Sequence, residues 1–217
     1  IQQCLDLLSA AGGGSLLIQQ GTYTGVSQLS VPSNSVIRGE PGTVLQGATT
    51  TAVPMMNLPI VAANPNQELI IENLTFDMSA NVAGSIGIRV MGVRGVTIRD
   101  NRFINTSTTA GQTAIHVTNS GTVLADNVLV EDNVIGSSTT ATFLAASSGA
   151  IAFDRAAGEC GWCAFSGNEV RGNSVWASGD ALKIAVGFSR FPISGNRFTG
   201  SGPKVPVAST DPLPHGV

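Results

Sequence analysis

Short stretches of alternating apolar and polar residues recur along this chain, and each recurrence carries an asparagine at the same place. The segment "VTIRDNRFINTS" (residues 96–107) returns in altered form as "VLVEDNVIGSS", "CAFSGNEVRGNS" and "FPISGNRFTGSG". Stacking the copies on Asn101, Asn133, Asn168 and Asn196 puts Ile98, Val130, Phe165 and Ile193 in one column. Phe103, Ile135, Val170 and Phe198 fall in a second column. The earlier "LIIENLTF" adds Ile71 and Phe76 to those columns, with Asn73 beside Asp100.

A second strand family lies between these segments: "GIRV", "AIHV", "AIAF" and "ALKI". It aligns Ile88, Ile115, Ile151 and Leu182, and then Val90, Val117, Phe153 and Ile184. A period of two in short segments means one buried face and one wet face. Each unit of roughly thirty residues thus holds at least two strands, and no helical pattern separates them to act as a crossover. Strands that recur once per unit and stack on their equivalents must be parallel. The architecture expected is all-β, a parallel β-helix. At each sharp corner the asparagine is expected to take a left-handed backbone conformation and to bond its counterpart on the next coil through its amide.

The ends of the chain fit such a stack. "IQQCLDLLSAAGGG" carries Ile1, Leu5 and Leu8 at helical spacing and ends in glycines, which predicts a capping α-helix over residues 1–11. It would cover strand edges that are otherwise unpaired. One domain is expected over residues 1–202, followed by a proline-rich tail or linker over 203–217. The chain lacks an initiator methionine, so it is expected to be a processed form or a piece of something longer.

Composition narrows the partners. Only 12% of the 217 residues are charged and the net charge is -3, against about 25% charged in ordinary domains. The surface must therefore be built from Ser, Thr, Asn and Gly. Without a basic field, nucleic acid is not an expected partner. Without an apolar run of about eighteen residues, no membrane span is expected. Of the three cysteines, Cys160 and Cys163 could close a small disulfide or ligate a metal. No second pair completes a zinc site, and packed thiols are the preferred reading.

The stretch "AAGGGSLLIQQGTYTGVSQLSVPSNSVIRGEPGTVLQG" (residues 10–47) resembles the N-terminal region of the pectate-lyase-like right-handed β-helix superfamily. In that superfamily a capping helix leads into a Gly-Gly turn, an apolar strand, a Gly-Thr-Tyr turn, a Pro-Ser-Asn turn and an Arg-Gly-Glu strand end. "NLTF" and "IRDNRF" are similar to its coil repeats, and the likeness runs over about residues 1–202. The resemblance implies a right-handed coil. The superfamily includes polysaccharide lyases, glycosidases, epimerases and phage tailspike depolymerases. The paired-Asp strand ends of its polygalacturonases and the Asp-Pro-His motif of its epimerases are missing here, so no catalytic residue carries over by position.

Candidate chemistry lies on the outward columns. One reads Arg89, His116, Ala152 and Lys183, and the next reads Met91, Thr118, Asp154 and Ala185. Equivalent residues on neighbouring coils lie about 4.8 Å apart, so these cations would line up opposite the repeating carboxylates of a polyuronate. In a lyase, His116 would be the base that removes the proton alpha to a carboxylate, and Arg89 beside it would favour the neutral imidazole. Arg89 and Lys183 would neutralise the carboxylate, and Asp154 would orient a group or bind calcium. Thr118, Arg155 and Trp162 are the expected substrate contacts, and Phe143 and Tyr23 could stack on sugar rings.

Asp100 and Asp132 form a second candidate pair, at glycosidase spacing or as calcium ligands. Gly167 and Gly195 in the same column argue instead for a turn position. Glu72, Arg99 and Glu131 read as ordinary cross-strand charge pairs. The expectation is a secreted or virion-surface protein acting on an acidic polysaccharide by eliminative cleavage. The alternative is a non-catalytic adhesive module such as a tailspike segment, which would form a homotrimer.

Overall fold

The computed structural model describes residues 1–48, 52–58, 66–105, 111–119, 125–136, 143–145, 149–154, 167–184 and 191–200. Expected residues Arg155, Cys160, Trp162, Cys163, Ala185 and the 203–217 tail lie outside them. The described chain is a right-handed parallel β-helix with one short N-terminal helix. Each coil visits three sheets in turn, one strand more than the two families visible in the sequence.

Sheet A runs from Gly14–Ile18 through Ser35–Gly39, Asn66–Glu72, Arg94–Arg99, Val128–Glu131 and Glu169–Arg171 to Ile193–Ser194. Sheet B follows each of these after a tight corner. It contains Gly21–Val26, Thr43–Gly47, Thr75–Asp77, Arg102–Ile104, Val134–Ile135, Ser174–Ser178 and Arg197–Gly200, and Phe143–Leu144 also pairs with Ser174–Ser178. Sheet C comprises Leu29–Ser30, Pro54–Leu58, Ile86–Met91, Thr113–Thr118, Ile151–Asp154 and Leu182–Ile184. Every pairing among these strands is parallel.

Inward residues stack into columns that fill the bore. Ile37, Ile71, Ile98, Val130 and Val170 form the buried column of sheet A. Leu45, Phe76, Phe103, Ile135 and Val175 form that of sheet B, where the rings of Phe76 and Phe103 stack 4.8 Å apart. Met56, Ile88, Ile115, Ile151 and Leu182 form that of sheet C. The β-branched residues that dominate suit a pleated surface buried on one face. Sheets B and C are thus in the register that the sequence columns for Phe76, Phe103 and Ile135, and for Ile88 to Leu182, anticipate.

The helix Gln2–Ala10 closes one end. Leu5 is fully buried, Ile1 and Leu8 pack against the core, and Gln2 Oε1 accepts a hydrogen bond of 3.0 Å from the Ser30 N–H. The cap therefore covers apolar surface and satisfies one edge donor together. The Gly-Thr-Tyr expected as a turn instead opens the strand Gly21–Val26.

The corner between sheets A and B carries the asparagine ladder, with a correction to its third rung. Asn101 Nδ2 donates to Asn133 Oδ1 at 3.2 Å, Asn133 Nδ2 to Asn173 Oδ1 at 3.0 Å, and Asn173 Nδ2 to Asn196 Oδ1 at 3.0 Å. Asn173, not Asn168, is the rung. The segment "SGNEVRGNS" contains Gly-Asn twice, and either copy follows an apolar residue at the right distance. Val170 accordingly belongs beside Ile98, Val130 and Ile193 in sheet A, the place expected for Phe165, and Val175 takes the sheet B place expected for Val170. Asn168 does similar work at the entry to sheet A, where it accepts from Val128 N–H and donates to the Ala125 carbonyl.

The ladder residues also close the backbone. Each side-chain oxygen accepts a main-chain N–H from the preceding coil, as Asn133 Oδ1 does from Asn101 N at 3.1 Å. Each amide donates to a sheet A carbonyl, as Asn133 does to Ile98 at 2.9 Å. The left-handed conformation falls on the residue before the rung: Asn73, Asp100, Asp132, Gly172 and Gly195 all have φ between 53 and 65°. At Gly172 a Cβ would also displace the Asp132 carboxylate of the preceding coil, so glycine suits that corner on both counts.

One residue before that corner, Arg38, Glu72, Arg99, Glu131 and Arg171 stand in register across five coils. The buried Glu72 accepts from Arg38 on one side and from Arg99 at 2.7 Å on the other, and Glu131 accepts from Arg171 at 2.6 Å. Burial raises the Glu72 pKa, but hydrogen bonds and charge from Arg38 and Arg99 outweigh it and hold the carboxyl below its ordinary 4.5.

Two stability measurements follow. Asn133→Ala strands the Asn101 N–H and the Ile98 carbonyl, and should cost about 3 kcal/mol in denaturant unfolding, whereas Asp132→Gly should cost under about 1 kcal/mol. Glu72→Gln should cost about 2 kcal/mol at neutral pH. Because the folded pKa is depressed, that difference from wild type should be constant above the unfolded value of 4.5. It should shrink as pH falls through the lower folded value. A gap independent of pH would contradict this account of Glu72.

Candidate functional site

The expected outward columns of sheet C are in register. Asn57, Arg89, His116, Ala152 and Lys183 stand on consecutive rungs, and beside them Met91, Thr118 and Asp154. They face outward because their neighbours, Ile88 and Val90, Ile115 and Val117, Ile151 and Phe153, are fully buried. The strand period alone places these side chains on one surface.

Their contacts differ from a simple cationic stripe. Arg89 Nε donates to Asn57 Oδ1 at 2.8 Å, which holds the guanidinium toward the N-terminal side of its rung. His116 Nε2 lies 2.8 Å from Asp154 Oδ1. This contact is diagonal, since Asp154 stands opposite Thr118 and Ala152 stands opposite His116. Ala152 presents only a methyl group, so the imidazole can lean past it to the carboxylate. The atoms approach without the alignment of a hydrogen bond, and Nε2 is shut off from solvent. The contact is electrostatic and becomes an ion pair when the imidazole is protonated.

Exposure separates the members of this group. The Asp154 side chain is 36% exposed and that of His116 19%, while Thr118 and Ala152 are buried. Thr118 thus stands beside the site rather than open to a ligand. Lys183 is half-buried one rung beyond Ala152, about 10 Å along the axis from the His116 rung. The compact unit is therefore Asn57, Arg89, His116 and Asp154, with Lys183 at a distance. Asn57 and the diagonal contact were not anticipated.

Asp100 and Asp132 sit at the exposed left-handed corner. Among the described residues, no group of three or more His, Cys, Asp or Glu side chains is gathered as a metal site. Two corner carboxylates alone do not supply the six to eight oxygens that calcium takes. Phe143 is fully buried, and Tyr23 is partly buried against the core with its hydroxyl donating to the Gln19 carbonyl. Phe143 therefore offers no platform to a sugar. Among the described residues, an aromatic that does face outward is Trp176, in the strand Ser174–Ser178 between the buried Val175 and Ala177. Its alternation is plain in "SVWAS". The mistaken third rung hid it, because that alignment ended the repeat before this strand.

Among the described residues, no helix is long and apolar enough to cross a membrane. No family model and no curated protein matches the chain. Among solved structures, the ORF18 protein of Geobacillus virus E2 is similar in fold, with a TM-score of 0.49 and 13% identity over 79% of this chain. The chain spans 40% of that viral protein.

Proposed function

We propose that the protein is a secreted or virion-surface member of the pectate-lyase-like superfamily that acts on an acidic polysaccharide through the outward face of sheet C. The observation that carries this reading is the Asp154 carboxylate 2.8 Å from His116 Nε2, with Arg89 on the adjoining rung. A histidine paired with a carboxylate has one nitrogen oriented and the other free to act as a base.

The reaction proposed is β-elimination. The negative charge of Asp154 beside Nε2 favours the neutral tautomer with its proton there, and Nδ1 takes the proton alpha to the uronate carboxylate. The released C–H electron pair forms a carbon–carbon double bond, the glycosidic C–O bond breaks, and the departing oxygen takes a proton from solvent. Arg89 stabilises the charge that develops on the carboxylate, and Lys183 holds the carboxylate of a neighbouring sugar unit.

An architectural reading draws on a different observation. Arg38, Arg94, Arg99 and Arg171 are all engaged in ion pairs between coils, as suits a rigid rod in a spike or fibre that assembles as a homotrimer.

The test is incubation with polygalacturonate and alginate, following ultraviolet absorbance of the unsaturated product together with reducing ends. Both should rise for the wild type. His116→Ala should reduce turnover by a factor of about a hundred or more, and Lys183→Ala should mainly raise KM, with little change in thermal stability for either. Reducing ends without absorbance would identify a hydrolase. No product from any acidic polysaccharide, with the protein trimeric in solution, would support the architectural reading and overturn the catalytic one.

A further inference from the structure

The outward face of sheet B carries a second surface, remote from His116 in the coil. In its first column Thr75, Arg102, Val134, Ser174 and Arg197 stand on consecutive rungs. In the next column Trp176 stands opposite Thr199. Three features set this face apart. Trp176 is a half-buried indole on a sheet face whose core-directed neighbours are fully buried. Arg197 is exposed, with its guanidinium carbon 5.7 Å from the indole centroid. Val134 is one of the few large apolar side chains left exposed among the described residues, at 37%.

The column leads into a cleft. Arg102 stands two rungs from Ser174 and also lines a depression of about 440 Å³ at the corner of sheets A and B, with Leu17, Arg38, Pro41 and Asp100. That volume is within the range of ligand clefts. From the Arg38 rung to the Arg197 rung, the surface extends through five coil spacings, about 24 Å. Apolar patches and hydrogen-bonding groups alternate along it: Leu17 and Pro41 with Arg38 and Asp100, then Arg102, Val134, Ser174 and the Trp176–Arg197 pair.

We infer that this face binds a linear polysaccharide along the helix axis, with one pyranose ring stacked on Trp176 and a distal unit seated in the Arg102 cleft. A pyranose offers an apolar C–H face to an indole, while its ring of hydroxyls accepts from guanidinium donors. Arg197 lies over one face of the indole, within the roughly 6 Å reach of a cation–π contact, so it braces the ring and leaves the opposite face to a stacked sugar. A flat peptide or a single sugar does not match a surface of this length with a platform at one end and a cleft at the other. The inference is independent of catalysis on sheet C.

The test is binding of the full chain to polygalacturonate, alginate, dextran and xylan by affinity electrophoresis, with calorimetry on oligosaccharides of defined length from whichever binds. Trp176→Ala and Arg197→Ala should each weaken binding about tenfold or more, while Trp176→Phe should retain most of it. Arg102→Ala should weaken binding of long oligosaccharides and leave short ones unchanged. The same loss on Trp176→Ala, measured in a His116→Ala background that does not cleave the polymer, separates this inference from the fate of the sheet C proposal. Thermal midpoints of the variants should match the wild type, since all three side chains lie outside the core. Binding to none of the four polymers, or undiminished binding by a folded Trp176→Ala variant, would overturn it. Binding to acidic polymers alone would assign the arginines to carboxylates, and binding to neutral ones would assign them to hydroxyls.

Discussion

The corner between sheets A and B is the constraint on which the rest of the molecule depends. A coil can turn sharply there only if the main-chain groups released from the ladders find other partners, because buried amides left unpaired cost on the order of 1–3 kcal/mol each. Asn101, Asn133, Asn173 and Asn196 supply those partners and bond one another along the axis. One short amide thereby fixes the turn within a coil and the height of the next coil. Glycine or a short polar residue in the left-handed position ahead of each rung makes that geometry accessible.

Once the corners are in register, the faces follow. Sheets A, B and C each place one column toward the bore and the adjacent positions toward solvent. Arg38, Glu72, Arg99, Glu131 and Arg171 alternate in sign across coils because they occupy one outward column. The same repetition turns sheet C into an array holding Arg89, His116 and Lys183, and sheet B into one holding Arg102, Val134 and Arg197. A stack of coils repeats each outward column along its axis, so each sheet presents an extended and regular surface. The two proposed surfaces are two uses of that property. On sheet C a titratable pair offers chemistry, and on sheet B an indole and arginines offer adhesion.

Much of this order was written along the chain. The inward columns of Ile88 to Leu182 and Val90 to Ile184, the outward neighbours Arg89 and His116, and the helical cap could all be read directly. They depend on a period of two within strands, on a period near thirty between coils, and on apolar spacing in the first residues. Each is a local property of the sequence, and a parallel stack converts local periodicity into contact without further folding rules. The alternating charges beside the corner were legible for the same reason.

What needed the tertiary structure was register wherever the pattern was ambiguous, and contact wherever it was diagonal. "SGNEVRGNS" offers two asparagines, and only stacking against Asn133 and Asn196 selects Asn173, because its amide must reach both neighbours at once. That choice carried Ser174–Ser178 into sheet B and turned Trp176 outward. The approach of His116 to Asp154 likewise depended on the room left by Ala152 on the neighbouring strand, a feature of two coils together. The sequence by itself determined that the chain would coil, which residues would fill the bore wherever the repeat was unambiguous, and where the helix would cap it. The tertiary structure alone decided which outward side chains meet, since that depends on the heights and tilts of neighbouring strands and not on the order of residues within any one of them.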